Sequence, residues 1–142
     1  AAYDWKDAAH AQHQTMRDYA GIVRSGPMME AGLQHLGRLK SKIDEGLRAD
    51  SRFELVRCLE TLNLYDMGDI LMRSAIDRRE SRELHRRTDC PITDPLLNGK
   101  AHIVRREDGC AVFDWKPLEP VPASTKVKMG EMKEEQTHAA QD

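Results

Sequence analysis

Apolar residues recur at steps of three and four along three stretches of the chain, and each stretch predicts an amphipathic helix. The first stretch covers residues 4–24 and is interrupted by Gly21. The second runs from about Pro27 to Leu47, and Ser25 just before it is a helix-start signal. Its apolar stripe consists of Met29, Leu33, Leu36, Leu39, Ile43 and Leu47.

The third predicted helix is the longest. Ser51 and Glu54 have the spacing of a capping box, and no proline follows before Pro91. We therefore predict a helix from Arg52 to about Arg86, roughly 50 Å long at ~1.5 Å per residue, with the other two helices packed along it. One apolar line on it consists of Val56, Leu59, Asn63, Met67, Ile70 and Ser74, and a second of Leu64, Gly68, Leu71 and Ala75.

The first of these lines changes character after Ser74. The same steps reach Arg78, Arg82 and His85, so a seam that we expect to be buried becomes cationic. Buried cations need acidic or carbonyl partners, and we expect these three to face a surface that this chain does not supply. The opposite face carries i,i+4 pairs of opposite charge that support a helix, namely Asp69–Arg73, Arg73–Asp77, Arg79–Glu83 and Glu83–Arg87.

Proline and glycine turn signals replace the helical pattern after Asp89. Two short β-rich stretches, His102–Val104 and Ala111–Phe113, flank Asp108-Gly109 and predict a small hairpin. We expect a three-helix bundle over 1–89, an extended arm with the hairpin over 90–122, and a polar tail over 123–142 that is flexible unless a partner holds it.

Composition agrees with a helical protein. Of the 142 residues, 39% are apolar but only 5% aromatic, so the core must consist mainly of aliphatic side chains. The net charge of −2 gives no general attraction to nucleic acid or to an anionic membrane. No apolar run approaches the ~20 residues of a membrane span. We predict an all-α fold, in which an elongated three-helix bundle is followed by an irregular C-terminal extension.

Cysteine and histidine spacing gives no metal site. The three cysteines form no C-x-x-C pair, which favours a reducing compartment, either the cytoplasm or its face of a membrane through a partner. His10 and His13 lie one helical turn apart but have no third ligand nearby, so we interpret them as solvated residues. The chain starts at Ala1 without an initiator Met, which leads us to expect a processed chain or a piece of a longer one.

Two segments resemble one enzyme family. Arg78-x-Glu80-Ser81-Arg82-x-x-His85-x-Arg87-x-Asp89 resembles the R-x-E-S-R-G-x-H-x-R-x-D signature of the succinate dehydrogenase and fumarate reductase flavoproteins, whose relatives include L-aspartate oxidase and the alpha subunit of adenylylsulfate reductase. Residues 16–25 are similar to the M…G(I/V)(V/I)R segment of that family. The resemblance covers most of residues 5–122. Glu83 stands where the family usually has Gly, a residue that suggests close approach of the backbone to a neighbour.

The resemblance implies a C-terminal three-helix domain, similar to a spectrin repeat, of an FAD-dependent oxidoreductase. The resemblance further implies that the flavin and substrate sites lie in upstream domains, and this chain has no G-x-G-x-x-G motif of its own. We therefore predict no catalytic, cofactor-binding or metal-binding residue here, and FAD only in the parent protein. The expected partners are its flavin-binding domain and an iron–sulfur subunit. The predicted docking residues are Arg78, Glu80, Ser81, Arg82, His85, Arg87 and Asp89.

Two alternatives remain open at this stage. Residues 73–87 carry six arginines against three acids, so the chain could be a free-standing helical interaction module with a basic helix end. We expect no nucleic-acid partner, because no aromatic residues interleave with the arginines to stack on bases. Alternatively, His85 beside Arg82 could act as a general acid or base.

Overall fold

A computed structural model describes residues 3–119, which form three helices and two small sheets. The tail predicted at 123–142 lies outside the described residues. None of the helices in the described range is long and apolar enough to cross a membrane. In chain order the elements are α1 (Trp5–Tyr19), β1 (Val23–Arg24), α2 (Gly26–Gly46), α3 (Arg52–Asp77), β2 (Arg86–Arg87), a 3-10 turn (Pro95–Leu97), β3 (Lys100–Glu107) and β4 (Cys110–Pro117).

The predicted capping residues start the second and third helices. Ser25 Oγ accepts a hydrogen bond from the Met28 amide at 3.4 Å, and Ser51 Oγ accepts one from the Glu54 amide at 3.2 Å. The Glu54 carboxylate in turn accepts a hydrogen bond from the Asp50 amide at 2.8 Å. These bonds satisfy amides at the helix ends that have no partner within the helix, so both start signals are confirmed.

The core lies between the three helices and is built from Ala8, Leu36, Ile43 and Tyr65. The Tyr65 hydroxyl donates to the Ala8 carbonyl oxygen at 2.8 Å, and burial raises the pKa of Tyr65 to about 12. The α2 stripe is confirmed along its length, since Met29, Leu36 and Ile43 are buried.

The prediction of which face of α3 is buried was wrong for its first line and partly right for its second, whose Gly68 and Ala75 are buried. Val56, Leu59 and Met67 on the first predicted line are 47%, 53% and 60% exposed. Because α3 is apolar on two opposite faces, periodicity alone does not decide which face packs against α1 and α2. The face with small residues, which let the neighbouring helices approach closely, is the buried one. Its buried residues are Cys58, Thr61, Tyr65, Gly68, Met72 and Ala75.

The prediction that α3 continues to about Arg86 was also wrong, because the helix ends at Asp77. The guanidinium of Arg87 folds back and donates to the Ile76 carbonyl oxygen at 2.7 Å, which satisfies part of the last turn. The predicted pair Asp69–Arg73 forms at 2.7 Å within the helix. The pairs predicted beyond the helix end cannot form along a helical face, because that segment is not helical.

The two sheets make the all-α prediction wrong. Strands β1 and β2 pair in parallel over two residues each, and β3 and β4 form an antiparallel hairpin of eight residues each. Asp108 and Gly109 connect the hairpin with φ values of 48° and 82°, as a type I′ turn requires. The predicted hairpin is confirmed and is longer than expected, because its strands pair continuously from Lys100 opposite Pro117 to Glu107 opposite Cys110.

His102 fixes the hairpin to the end of α3. Its Nδ1 atom lies 2.6 Å from Ser74 Oγ, and its ring stacks on Trp115 with ring centroids 4.4 Å apart. Its Nε2 atom lies 2.8 Å from a carboxylate oxygen of Asp77, although the two are not aligned as a hydrogen bond. The hairpin therefore packs on the bundle next to the segment that follows α3.

Two glycines on α2 offer a matched test of this packing. A Cβ atom on Gly32 would lie 2.5 Å from the Cβ atom of Tyr19 on α1, whereas one on Gly37 would meet nothing within 4 Å. We predict that Gly32→Ala lowers the free energy of unfolding by about 1–3 kcal/mol, because it forces α1 and α2 apart. Gly37→Ala should raise it by about 0.5–1 kcal/mol through helix propensity. Urea unfolding measures both, and equal effects would contradict the helix packing described here.

Candidate functional site

The segment with the family signature is a turn and a strand rather than a helix. After α3 ends, the chain reverses at a two-residue turn between Arg82 and His85. The Arg82 amide donates to the His85 carbonyl oxygen at 2.8 Å, and the His85 amide donates to the Arg82 carbonyl oxygen at 2.9 Å. The turn directs the following residues back towards the start of α2.

Strand β2 then lies beside β1, at the junction between α1 and α2. The Arg86 amide donates to the Ile22 carbonyl oxygen at 3.1 Å, and the Thr88 amide donates to the Arg24 carbonyl oxygen at 3.0 Å. The two segments that carry the family resemblance are therefore neighbours in space, although about sixty residues separate them in the sequence.

Glu80 is the centre of the site. Its side chain is fully buried, and its carboxylate accepts hydrogen bonds from Arg78 Nε at 2.8 Å and from Arg82 Nε at 3.0 Å. The Asp94 amide donates to the same carboxylate at 2.8 Å. Burial alone would raise the pKa of Glu80, but the bonds from Arg82, the Asp94 amide and Arg78 outweigh it and lower the pKa to about 2. Glu80 is therefore ionised at neutral pH.

Arg82 joins Glu80 to the loop that follows the signature. Its Nη2 atom donates to Glu80 at 3.0 Å, to the Asp94 carbonyl oxygen at 3.1 Å and to Asn98 Oδ1 at 2.8 Å. A planar guanidinium suits this role, because its fixed N–H groups bind several oxygens at once. Arg82 thus has its partners within the chain.

Ser81 joins the two ends of the signature. Its hydroxyl accepts a hydrogen bond from the Arg87 amide at 2.8 Å and lies 2.8 Å from the Cys90 carbonyl oxygen, to which it can donate. The Ser81 amide donates to the Ile92 carbonyl oxygen at 3.1 Å, and the Thr93 hydroxyl donates to the Ser81 carbonyl oxygen at 2.7 Å. These bonds fold the segment into a closed loop.

Arg87 and Asp89 connect the ends of two helices. Arg87 is buried at the C-terminus of α3, where its Nη1 atom donates to the Ala75 and Ile76 carbonyl oxygens at 3.3 and 2.7 Å. Its Nη2 atom pairs with Asp89 at 2.5 Å, and Asp89 accepts a hydrogen bond from the Gly26 amide at 3.1 Å. A cation at a helix C-terminus and an anion at an N-terminus are both favourable. Hydrogen bonds from Arg87 and then from Gly26 outweigh the effect of burial and hold the pKa of Asp89 well below its usual range.

His85 and Arg78 form the outer edge of the cluster. His85 Nε2 lies 3.1 Å from the Arg78 carbonyl oxygen. Burial lowers the pKa of His85, and the charges of Arg24, Arg78 and Arg87 lower it further, against the opposite effect of that carbonyl. The Arg78 guanidinium lies 5.5 Å from the centroid of the Trp115 ring, which brings the hairpin to the same edge.

The structure places all seven predicted docking residues in this one cluster, and it adds three that the sequence interpretation missed. Arg24 lies on the strand beside the signature, Gly26 binds Asp89, and Asp94 binds Glu80. The signals for two of them were the Ser25-Gly26-Pro27 and Asp94-Pro95 segments, which were interpreted only as a helix start and a turn.

Glu83 occupies a left-handed turn position. Its φ is 50° and its side chain is exposed, and it is the first central residue of the turn between Arg82 and His85. A positive φ at this position is typical of a type II′ turn, which favours glycine. The backbone conformation is therefore one physical reason for the glycine usual in the family.

Two features of the described residues bear on whether they could hold a phosphate group or a metal ion. The amides at the start of α2 do not suit a phosphate, because Asp89 binds the Gly26 amide, Ser25 Oγ binds the Met28 amide, and the Asp89 carboxylate would repel an anion. Within residues 3–119 no group of three or more His, Cys, Asp or Glu side chains lies close enough to share a metal ion. His10 and His13 are both exposed on α1.

Comparison with known families decides the assignment. Residues 10–134 match the sequence model of the family described as the fumarate reductase flavoprotein C-terminal domain. The chain belongs to this family. The resemblance to the succinate dehydrogenase and fumarate reductase flavoproteins is thereby confirmed, and the family is one of oxidoreductase flavoproteins.

Individual relatives agree with the family. The chain is 37% identical over 82 residues to the L-aspartate oxidase of Yersinia pestis, and 30% identical over 123 residues to the succinate dehydrogenase flavoprotein subunit of Rickettsia bellii. These matches cover 58% and 81% of this chain but only 15% and 20% of the relatives. The chain thus spans about a fifth or less of these relatives, and the second is by name a subunit of a larger assembly.

Solved structures share the fold. A quinol fumarate reductase from E. coli superposes with a TM-score of 0.69 at 22% identity, covering 84% of this chain and 22% of that one. The adenylylsulfate reductase of Archaeoglobus fulgidus superposes with a TM-score of 0.72 at 21% identity, covering 84% and 20%. At these identities the likeness supports the fold alone.

The backbone at Glu83 gives a prediction for the signature turn. We predict that Glu83→Gly raises the free energy of unfolding by about 0.5–1 kcal/mol, because relief of the left-handed strain exceeds the added entropy of the unfolded chain. The neighbouring Leu84 is also exposed but has no positive φ, so Leu84→Gly should lower stability by about 0.5–1 kcal/mol. Urea unfolding compares them, and destabilisation by Glu83→Gly would contradict this turn.

Proposed function

We propose that this chain is the non-catalytic C-terminal helical domain of an FAD-dependent oxidoreductase of the fumarate reductase and succinate dehydrogenase type. In the parent protein, FAD would exchange a hydride or electrons with a small dicarboxylate-like substrate. The helical domain packs on the flavin and substrate domains, and an iron–sulfur subunit is a further partner. The assembly works in the cytoplasm or at the cytoplasmic face of a membrane.

The observation that carries this proposal is an apolar face of α3 that no other part of residues 3–119 covers. This face lies opposite the bundle core, and Phe53, Leu59 and Met67 on it are 61%, 53% and 60% exposed. A soluble chain of this size gains nothing from displaying a row of large apolar side chains along a helix, whereas an interface between domains does. Other exposed large apolar residues on this broad face are Val56, Leu64 and Leu71.

The signature cluster lies at the end of this row, where Ser74 and Arg78 follow Met67 and Leu71. We propose that Arg78, Glu80, Ser81, Arg82, His85, Arg87 and Asp89 form the docking surface together. The internal hydrogen bonds of Glu80, Ser81 and Arg87 support different roles for two sets of residues. These three fix the conformation of the loop. Arg78 and His85, at the partly exposed edge, are then held ready for the partner.

Association of the two parts of the flavoprotein tests this function. We predict that Met67→Glu weakens co-purification of this chain with the co-expressed flavin domain at least about tenfold, because it buries a charge in an apolar interface. Leu118→Glu is the matched control, since Leu118 is similarly exposed at 61% but lies at the end of the hairpin. Thermal unfolding should show that both variants fold as the wild type does.

Equal recovery of Met67→Glu and the wild type would contradict docking through α3. A wild-type chain that does not associate with the flavin domain at all, but binds an unrelated acidic protein, would favour the free-standing interaction module instead.

A further inference from the structure

A surface groove of about 470 Å³ lies where α1 and β1 meet α3 and the signature cluster. Its floor is apolar and includes Met67, Ile70 and Leu71, the end of the exposed row on α3. Its upper end is formed by Arg24, Arg78 and His85. The groove therefore combines an apolar surface with two guanidinium groups and an imidazole at one end.

Arg24, at this end of the groove, has no carboxylate partner within the described part of the chain. No Asp or Glu is among the residues that line the groove. The two carboxylates of the signature are already engaged, since Glu80 binds Arg78 and Arg82 and Asp89 binds Arg87. An anion for this end of the groove must therefore come from elsewhere.

Arg24 also lacks a hydrogen-bond acceptor within residues 3–119. Its Nε atom is buried and has no hydrogen-bond partner among the described residues. Burial without compensation lowers the pKa of Arg24. A buried N–H group of a charged side chain without an acceptor costs more than a neutral one, and native structures rarely leave such a group unpaired. Arg24 is partly exposed as a whole, so a ligand entering the groove can reach its guanidinium.

We propose that this groove binds the carboxylate of an Asp or Glu side chain, presented by an apolar segment of the flavin-bearing part of the same flavoprotein. The inference rests on the proposed function and adds the chemistry of the partner segment. A carboxylate matches the geometry of a guanidinium better than other protein groups do, and apolar residues around it would cover Met67 and Leu71. A free inorganic anion would leave that floor in water, so the groove favours a protein segment.

Replacement of Arg24 by Met tests the proposal, because it should weaken binding to the flavin domain without lowering the stability of the isolated chain. In the isolated chain, Arg24→Met removes an unpaired buried N–H group and keeps the aliphatic stem, so the melting temperature should stay the same or rise. In co-purification with the flavin domain, the same variant should bind at least about tenfold more weakly. Arg24→Lys, which keeps the charge but loses the guanidinium fork, should recover part of the binding.

Arg38→Met is the matched control, since Arg38 is exposed on α2 away from the groove, and it should change neither measurement. Wild-type binding by Arg24→Met would overturn the inference, and so would a melting temperature well below that of the wild type. Loss of binding by Met67→Glu but not by Arg24→Met would leave the proposed function standing and remove this inference alone. If the wild-type chain does not associate with the flavin domain, both the proposed function and this inference fail.

A second experiment distinguishes a protein carboxylate from a small anion as the ligand of the groove. The Nε–H resonance of Arg24 in an NMR spectrum should shift when the flavin domain binds and should not shift with inorganic phosphate at the same ionic strength. An equal shift with phosphate would make the groove a small-anion site and overturn the assignment of a protein segment.

Discussion

The buried carboxylate of Glu80 is the interaction on which the signature segment depends. It holds Arg78 and Arg82 on one side and the Asp94 amide on the other, and so joins the end of α3 to the loop that leads to the hairpin. A fully buried carboxylate is costly unless it is paired and hydrogen-bonded, and here two guanidinium groups and an amide meet that requirement. Without Glu80, the two arginines would repel each other and the loop would lose its centre.

Arg87 and Asp89 connect the signature segment to the helical bundle. They link the C-terminus of α3 to the N-terminus of α2, so the position of the cluster is fixed by the helices. A Cβ atom on Gly26 would lie 2.7 Å from Arg87 Nη2 and 2.9 Å from Asp89 Oδ2, so this link requires glycine there. The result is a rigid loop at the end of an uncovered apolar helix face, which is the form that an interface between domains takes.

Local chemistry made part of the fold predictable from the sequence. Ser25 and Ser51 cap their helices through bonds to residues three positions away, and Asp108-Gly109 specifies its turn through its own backbone preferences. The family signature was recognisable because its residue types are spaced along one short segment. These signals depend on near neighbours in the chain.

The end of α3 and the orientation of its faces could not be predicted in the same way. Arg79, Glu83 and Arg87 have the spacing of helical ion pairs, but burial of Glu80 and the return of Arg87 to the helix end outweigh that weak local preference. Likewise, Val56 and Met67 have the spacing of a core stripe on a helix that is apolar on both faces. Which face is buried depends on Gly68 and Ala75, and thus on how closely the other helices approach.

The dependence of stability on pH in the wild type and in Glu80→Gln tests the central role of Glu80 most directly. Its pKa is lowered to about 2 in the folded chain from an ordinary value near 4.5, so its contribution is complete above pH 4.5 and is lost as pH falls towards 2. Urea unfolding should therefore find the variant less stable by about 2–4 kcal/mol at pH 7, with the difference narrowing below pH 4.5. A difference that is absent at pH 7, or that does not change with pH, would contradict this account.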